Sequence, residues 1–112
     1  MTLLDYHNMK RPLIVEKIKK TVSESMPNAQ VWLYGSEARG DARPDSDIDL
    51  LVLVDKDHLS IKEEEELTMP LYMIELETGI LISPIVMTRR QWEDRKIKTP
   101  FYVNVKNEAV LL

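Results

Sequence analysis

The sequence predicts one α/β domain. Helical periodicity alternates with short apolar runs that read as three strands, and the chain is too short for two cores. At 112 residues, numbers 1–112 fit a single domain. With 44% apolar and 30% charged residues, the composition is that of an ordinary globular protein facing water.

The first helix is expected over about His7 to Met26, because Ile14, Ile18, Val22 and Met26 recur every four residues among lysines and glutamates. Pro12 fits a first turn, which moves the start toward Lys10, and Pro27-Asn28 ends the helix. AQVWLYG is β-branched and aromatic between turn residues, the pattern of a strand. SEARGDARPDS reads as a loop with room for one helical turn. IDLLVLV is almost continuously apolar, so that strand should be covered on both faces.

A second long helix is expected from about Ser60 to Glu77, with Pro70 able to kink or split it and Gly79 as its stop. ILISPIVM is a third strand, and Pro84 removes a ladder donor, which assigns it to an edge or a bulge. Thr88 to Gln91 has capping-box spacing and should open a helix running through Trp92 and Arg95. Thr99-Pro100 starts a last short helix, and AVLL closes the chain.

Composition excludes some functions. No apolar run approaches the roughly 20 residues that span a bilayer, and MTLLDYHNMK lacks the pattern of a secretory signal. There is no cysteine, so disulfides and thiolate metal sites are ruled out, and a cytoplasmic location is expected. A net charge of −4 with acids at Glu63 to Glu66 suits neither long DNA nor long RNA. A mononucleotide is a different problem, since one pocket and a divalent cation can manage its charge.

The chemistry concentrates in LYGSEARGDARPDSDIDLLVLV, Leu33 to Val54. Gly35-Ser36 follows a strand directly, and backbone N–H groups at such a turn can cradle phosphate. Ser36 adds a hydroxyl donor, and Arg39 brings a planar cationic fork to the same place. Asp47 and Asp49 sit two apart at the start of the next strand, on one face by strand periodicity and roughly 7 Å apart along the backbone. Two acids on one face of an apolar strand repel each other unless a cation neutralises them, and Mg²⁺ favours carboxylates shared with substrate phosphates. Each half of this pattern alone has a bland reading as a turn or a solvated strand end. Their combination should arise by chance in roughly one chain per thousand of this length.

This G-S-x₁₀-D-x-D arrangement between two strands resembles the signature of the DNA polymerase β-like nucleotidyltransferase superfamily. The wording Gly-Ser-x-Ala-Arg-Gly is similar to its minimal nucleotidyltransferases. The resemblance implies a small mixed sheet flanked by helices and transfer of a nucleotidyl group from an NTP, usually ATP, with release of pyrophosphate. It implies Gly35 and Ser36 on the triphosphate with Arg39 in support, and Asp47 and Asp49 as catalytic ligands of Mg²⁺. It also implies a third carboxylate on the strand ILISPIVM, where this chain has Ser83; that leaves slower transfer, an acid supplied elsewhere, as by Glu75 or Glu77, or NTP binding without turnover. Such domains often pair with a helical partner of the HEPN type and act as antitoxins by adenylylating it, while homo-oligomerisation is left open. The rival reading is a binding module that neutralises its partner by contact; transfer to an antibiotic would need a larger acceptor lobe.

Other residues invite bland readings. His7 and His58 are expected at the surface, Trp32 and Trp92 in the core, and the glutamate run on a solvated helix face. Arg89 and Arg90, in a first helical turn, are expected to face solvent rather than phosphate.

Overall fold

The computed structural model describes residues 11–112. The elements are α1 (Arg11–Ser25), β1 (Ala29–Tyr34), α2 (Gly35–Arg39), β2 (Ile48–Val54), α3 (Ile61–Thr78), β3 (Ile82–Thr88), α4 (Arg89–Glu93), α5 (Pro100–Glu108) and β4 (Val110–Leu111). The part of the expected first helix before Arg11, and His7 with it, lies outside the described residues. Four strands form one mixed sheet in the order β3-β2-β1-β4. β1 runs antiparallel to both β2 and β4, whereas β2 and β3 are parallel and joined by α3 as a crossover.

Strand periodicity divides the sheet into two differently built faces. Val31, Leu33, Ile48, Leu50, Val52 and Val54 meet Ile14, Ile18 and Val22 of α1 and Leu67, Leu71 and Ile74 of α3, making an aliphatic core. The opposite face presents Leu51 and Leu53 to Trp92, Tyr102 and Val105, with Trp32, Ile85 and Met87 at the margin. β2 is therefore covered on both sides, as its unbroken apolar run requires. The Trp92 and Tyr102 rings pack 4.6 Å apart, and the Arg95 guanidinium lies 5.0 Å above Trp92.

Local signals account for most of the boundaries. Ser60 and Glu63 close a capping box at the start of α3, and Gly79 ends that helix in the left-handed conformation. Pro70 lies inside α3 without splitting it, since packing of the neighbouring Leu67, Leu71 and Ile74 outweighs one missing donor. β3 is an edge strand, where the loss of a donor at Pro84 is tolerable. The Thr88–Gln91 capping box forms in both directions, but α4 stops at Glu93, short of Arg95. Thr99 caps α5 with Pro100 in its first turn.

A fourth strand was not expected from AVLL. Val110 and Leu111 pair with Leu33 and Trp32, and the Leu112 N–H donates to the Val31 carbonyl at 2.9 Å. Among the described residues no helix is long and apolar enough to cross a membrane.

Ile18 is fully buried between α1 and the sheet. Ile18→Ala should lower the unfolding free energy by about 2–5 kcal/mol, through lost burial plus an unfilled cavity. Urea denaturation followed by circular dichroism would measure it, with the m-value unchanged.

Candidate functional site

The β1–β2 register sets Tyr34 opposite Asp49, so the chain turns at Gly35 directly beside that carboxylate. Gly35 has φ of +74°, a conformation that side chains resist. A Cβ added there would overlap Asp49 Oδ2 and come within 3.3 Å of its Cγ. Glycine is therefore required twice over, by backbone conformation and by the carboxylate resting against it.

Asp47 falls one residue before β2 begins, in the loop, and is exposed, whereas Asp49 is half-buried within the strand. The expectation of both acids inside the strand is thus corrected by one residue at the first of them. They remain close enough to interact. Burial pushes the Asp49 carboxyl above its ordinary range, the Asp47 and Glu108 charges push it further, and Arg39 offsets part of the effect. Tyr34 is raised as well, by burial first and by the Asp49 charge second.

Arg39 ends α2 and points back across the turn. Its guanidinium lies 3.3 Å from Glu108 Oε2 and 3.4 Å from Asp41 Oδ2. Glu108, at the end of α5, also accepts the Gly35 N–H on Oε1 at 3.1 Å. Ser36, half-buried in the same turn, accepts the Asp41 N–H on its carbonyl at 3.1 Å. Gly35, Ser36, Arg39, Asp47 and Asp49 are thus gathered at one corner of the sheet.

Ser83 is the β3 residue in register with Asp49, so a neutral hydroxyl stands beside the acid. Glu75 is committed elsewhere, accepting the Ile82 N–H at 2.9 Å. The charges acting on Asp49 come from Asp47, Arg39 and Glu108, and Glu77 is not among them. Among the described residues no three or more His, Asp or Glu side chains are grouped to hold a metal. The Asp47–Asp49 pair nevertheless suits a hard divalent cation shared with phosphate oxygens. Both are oxygen donors without an ion pair among the described residues, and their mutual repulsion is relieved by such a charge.

Two contributors were not anticipated. Glu108 lies 73 positions from Gly35 in sequence, so nothing marked it. Arg11 donates from Nε to Glu37 at 2.7 Å, and its other nitrogens reach the Pro44 and Ser46 carbonyls at 3.2 and 2.8 Å. It thereby fastens the loop that delivers Asp47 to both α1 and α2. The remaining candidates are peripheral. His58 is exposed and Trp92 is core; Trp32 borders a cavity of about 290 Å³ beneath α4 and α5. Glu63 is held below its usual range by Lys56 and the Ser60 cap. Arg89 and Arg90 form surface ion pairs with Glu93 and Asp94.

Comparison with known proteins decides the family. Residues 15–108 match the nucleotidyltransferase domain family. The chain belongs to that family. A "Putative protein adenylyltransferase" of Methanocaldococcus jannaschii is 35% identical over 99 residues, covering 87% of this chain and 93% of the relative. The crystal structure of a "putative nucleotidyltransferase" from Sulfolobus solfataricus shares the fold at a TM-score of 0.55 and 21% identity, over 99% of this chain and 86% of that one. A toxin–antitoxin structure solved with AMP-PNP superposes with a TM-score of 0.55 at 24% identity, over 86% of this chain and 69% of that chain. The polymerase β-like fold read from the G-S-x₁₀-D-x-D pattern is the fold of this nucleotidyltransferase.

Two outcomes follow for the nucleotidyltransferase without added metal. Arg11→Met keeps the apolar stem but removes three hydrogen bonds, and should cost about 1–3 kcal/mol. Hydrogen exchange should then quicken at Ser46 and Asp47, while the centre of β2 stays protected. For Asp49, the folded state binds the proton more tightly than the unfolded chain. Its contribution therefore favours folding below the ordinary Asp range and turns into a penalty as pH rises through the elevated value. Asp49→Asn should raise the Tm of the metal-free protein at pH 7 by a few degrees, with the gain shrinking as pH falls toward about 4. Calorimetry across that range, in EDTA, reads both sign and window.

Proposed function

We propose that the chain catalyses Mg²⁺-dependent transfer of AMP from ATP to a hydroxyl group on a protein. The observation that carries this reading is the Asp49 carboxylate lying against Gly35, with Asp47 and Arg39 at the same corner. The relative named as a protein adenylyltransferase supports AMP and a protein acceptor.

In this reading the Gly35 turn, with Ser36 and Arg39, binds the triphosphate, and Asp47 and Asp49 hold Mg²⁺. The bound cation screens phosphate charge and stabilises the charge that develops during displacement. The residues themselves orient the α-phosphorus so that the acceptor oxygen forms its bond to phosphorus as the bond to pyrophosphate breaks, and the hydroxyl proton passes to solvent. Arg39 keeps a cation on the phosphates through that exchange. Ser83 cannot take the proton that a carboxylate would, so turnover is expected to be slow.

The acceptor in this reading is a separate protein, as the name of the Methanocaldococcus jannaschii relative suggests. A helical partner of the HEPN type, neutralised by adenylylation, fits this reading, and the shared fold with a toxin–antitoxin structure that carries AMP-PNP supports it. The second reading is neutralisation by contact with nucleotide bound but not turned over. Ser83 opposite Asp49 favours it.

Labelled ATP, Mg²⁺ and the co-expressed neighbouring protein separate the two. Transfer of label should fall about 100-fold or more in Asp47→Asn and vanish in EDTA. Saturable ATP binding with no label on the neighbour would establish the contact reading instead.

A further inference from the structure

We propose that Glu108 is an internal occupant of the phosphate cradle, a carboxylate that a nucleoside triphosphate must displace to bind. This rests on the reading of Gly35 and Arg39 as phosphate-binding groups. The two Glu108 oxygens use those same groups: Oε1 takes the Gly35 N–H at 3.1 Å and Oε2 takes the Arg39 guanidinium at 3.3 Å. A phosphate presents equivalent anionic oxygens to such donors, so both ligands cannot hold them together.

The position of Glu108 is set by its neighbours rather than by a flexible tail. The Ala109 N–H closes the last turn of α5 on the Val105 carbonyl at 2.8 Å. Val110 then pairs with Leu33, two residues before Gly35, and the Leu112 N–H reaches Val31. At the other end of α5, Phe101 meets the Tyr34 ring edge-on at 5.7 Å between centroids. Helix and strand thus aim the side chain into the turn from both directions.

Displacement is nevertheless easy. The Arg39 side chain is 49% exposed and that of Glu108 25%, so water screens the pair. Asp41, at 3.4 Å, still partners Arg39 when Glu108 swings out. A multiply charged phosphate chain bearing a cation can outcompete one carboxylate, whereas a singly charged anion competes on nearly equal terms. Glu108 thereby favours triphosphates over lesser anions at this corner.

The test is isothermal titration of ATP with Mg²⁺ into wild type, Glu108→Gln, Arg39→Ala and the double variant, with circular dichroism confirming that each is folded. Glu108→Gln keeps the amide-compatible shape and an acceptor for Gly35 while removing the competing charge. It should bind ATP about fivefold tighter, the worth of one exposed ion pair. That gain should shrink in the Arg39→Ala background, because one of the two groups that Glu108 occupies is then already gone. Equal or weaker binding by folded Glu108→Gln overturns the proposal while leaving the nucleotide site intact. A gain of the same size without Arg39 also overturns it, since the effect would then be long-range charge. If neither wild type nor Glu108→Gln binds ATP, the site reading and the proposal fall together.

Discussion

A single close approach organises the site: the antiparallel register of β1 and β2 lays the Asp49 carboxylate on Gly35. That contact joins the end of one strand to the beginning of the next without a side chain between them. It excludes a Cβ at a glycine that is already left-handed, leads into α2 and Arg39, and places an acid beside the turn whose Gly35 N–H Glu108 accepts. The rest of the fold can be read as the means of holding that register in place.

The sheet holds it asymmetrically. One face is sealed by α1 and α3 over aliphatic side chains, fixing β2 against translation. The other carries Asp49 in line with Leu51 and Leu53, so a charged group stands at the end of a face that is otherwise aromatic and apolar. Burial and the Asp47 charge leave Asp49 reluctant to ionise alone, the condition in which a divalent cation is most useful. Arg11 holds the loop preceding β2 by two carbonyls, so Asp47 is positioned by the same helix that seals the opposite face.

The sequence carried the local information well. Glycine-serine after a strand and alternating aspartates at the next one marked the corner, because both depend on short-range backbone geometry. The capping box at Thr88 and the stop at Gly79 were legible for the same reason. What escaped depended on distance along the chain. Arg11 meets Glu37 and Ser46 across 26 and 35 positions, and Glu108 meets Gly35 across 73. No periodicity encodes such pairings. β4 escaped because two residues cannot display an alternation, and its pairing is conferred by β1. Pro70 suggested a break that tertiary packing overrode.

The shared volume at Gly35 and Asp49 also constrains how this domain can drift. While a carboxylate fills position 49, no larger residue fits at position 35, so position 35 cannot vary before position 49 does. Once the acid is lost, the space opens, yet the backbone angle persists and still favours asparagine or aspartate among side chains that tolerate it. A lineage that lost this carboxylate would therefore record its history in order, with position 49 changing before position 35 and the fold unaltered around them.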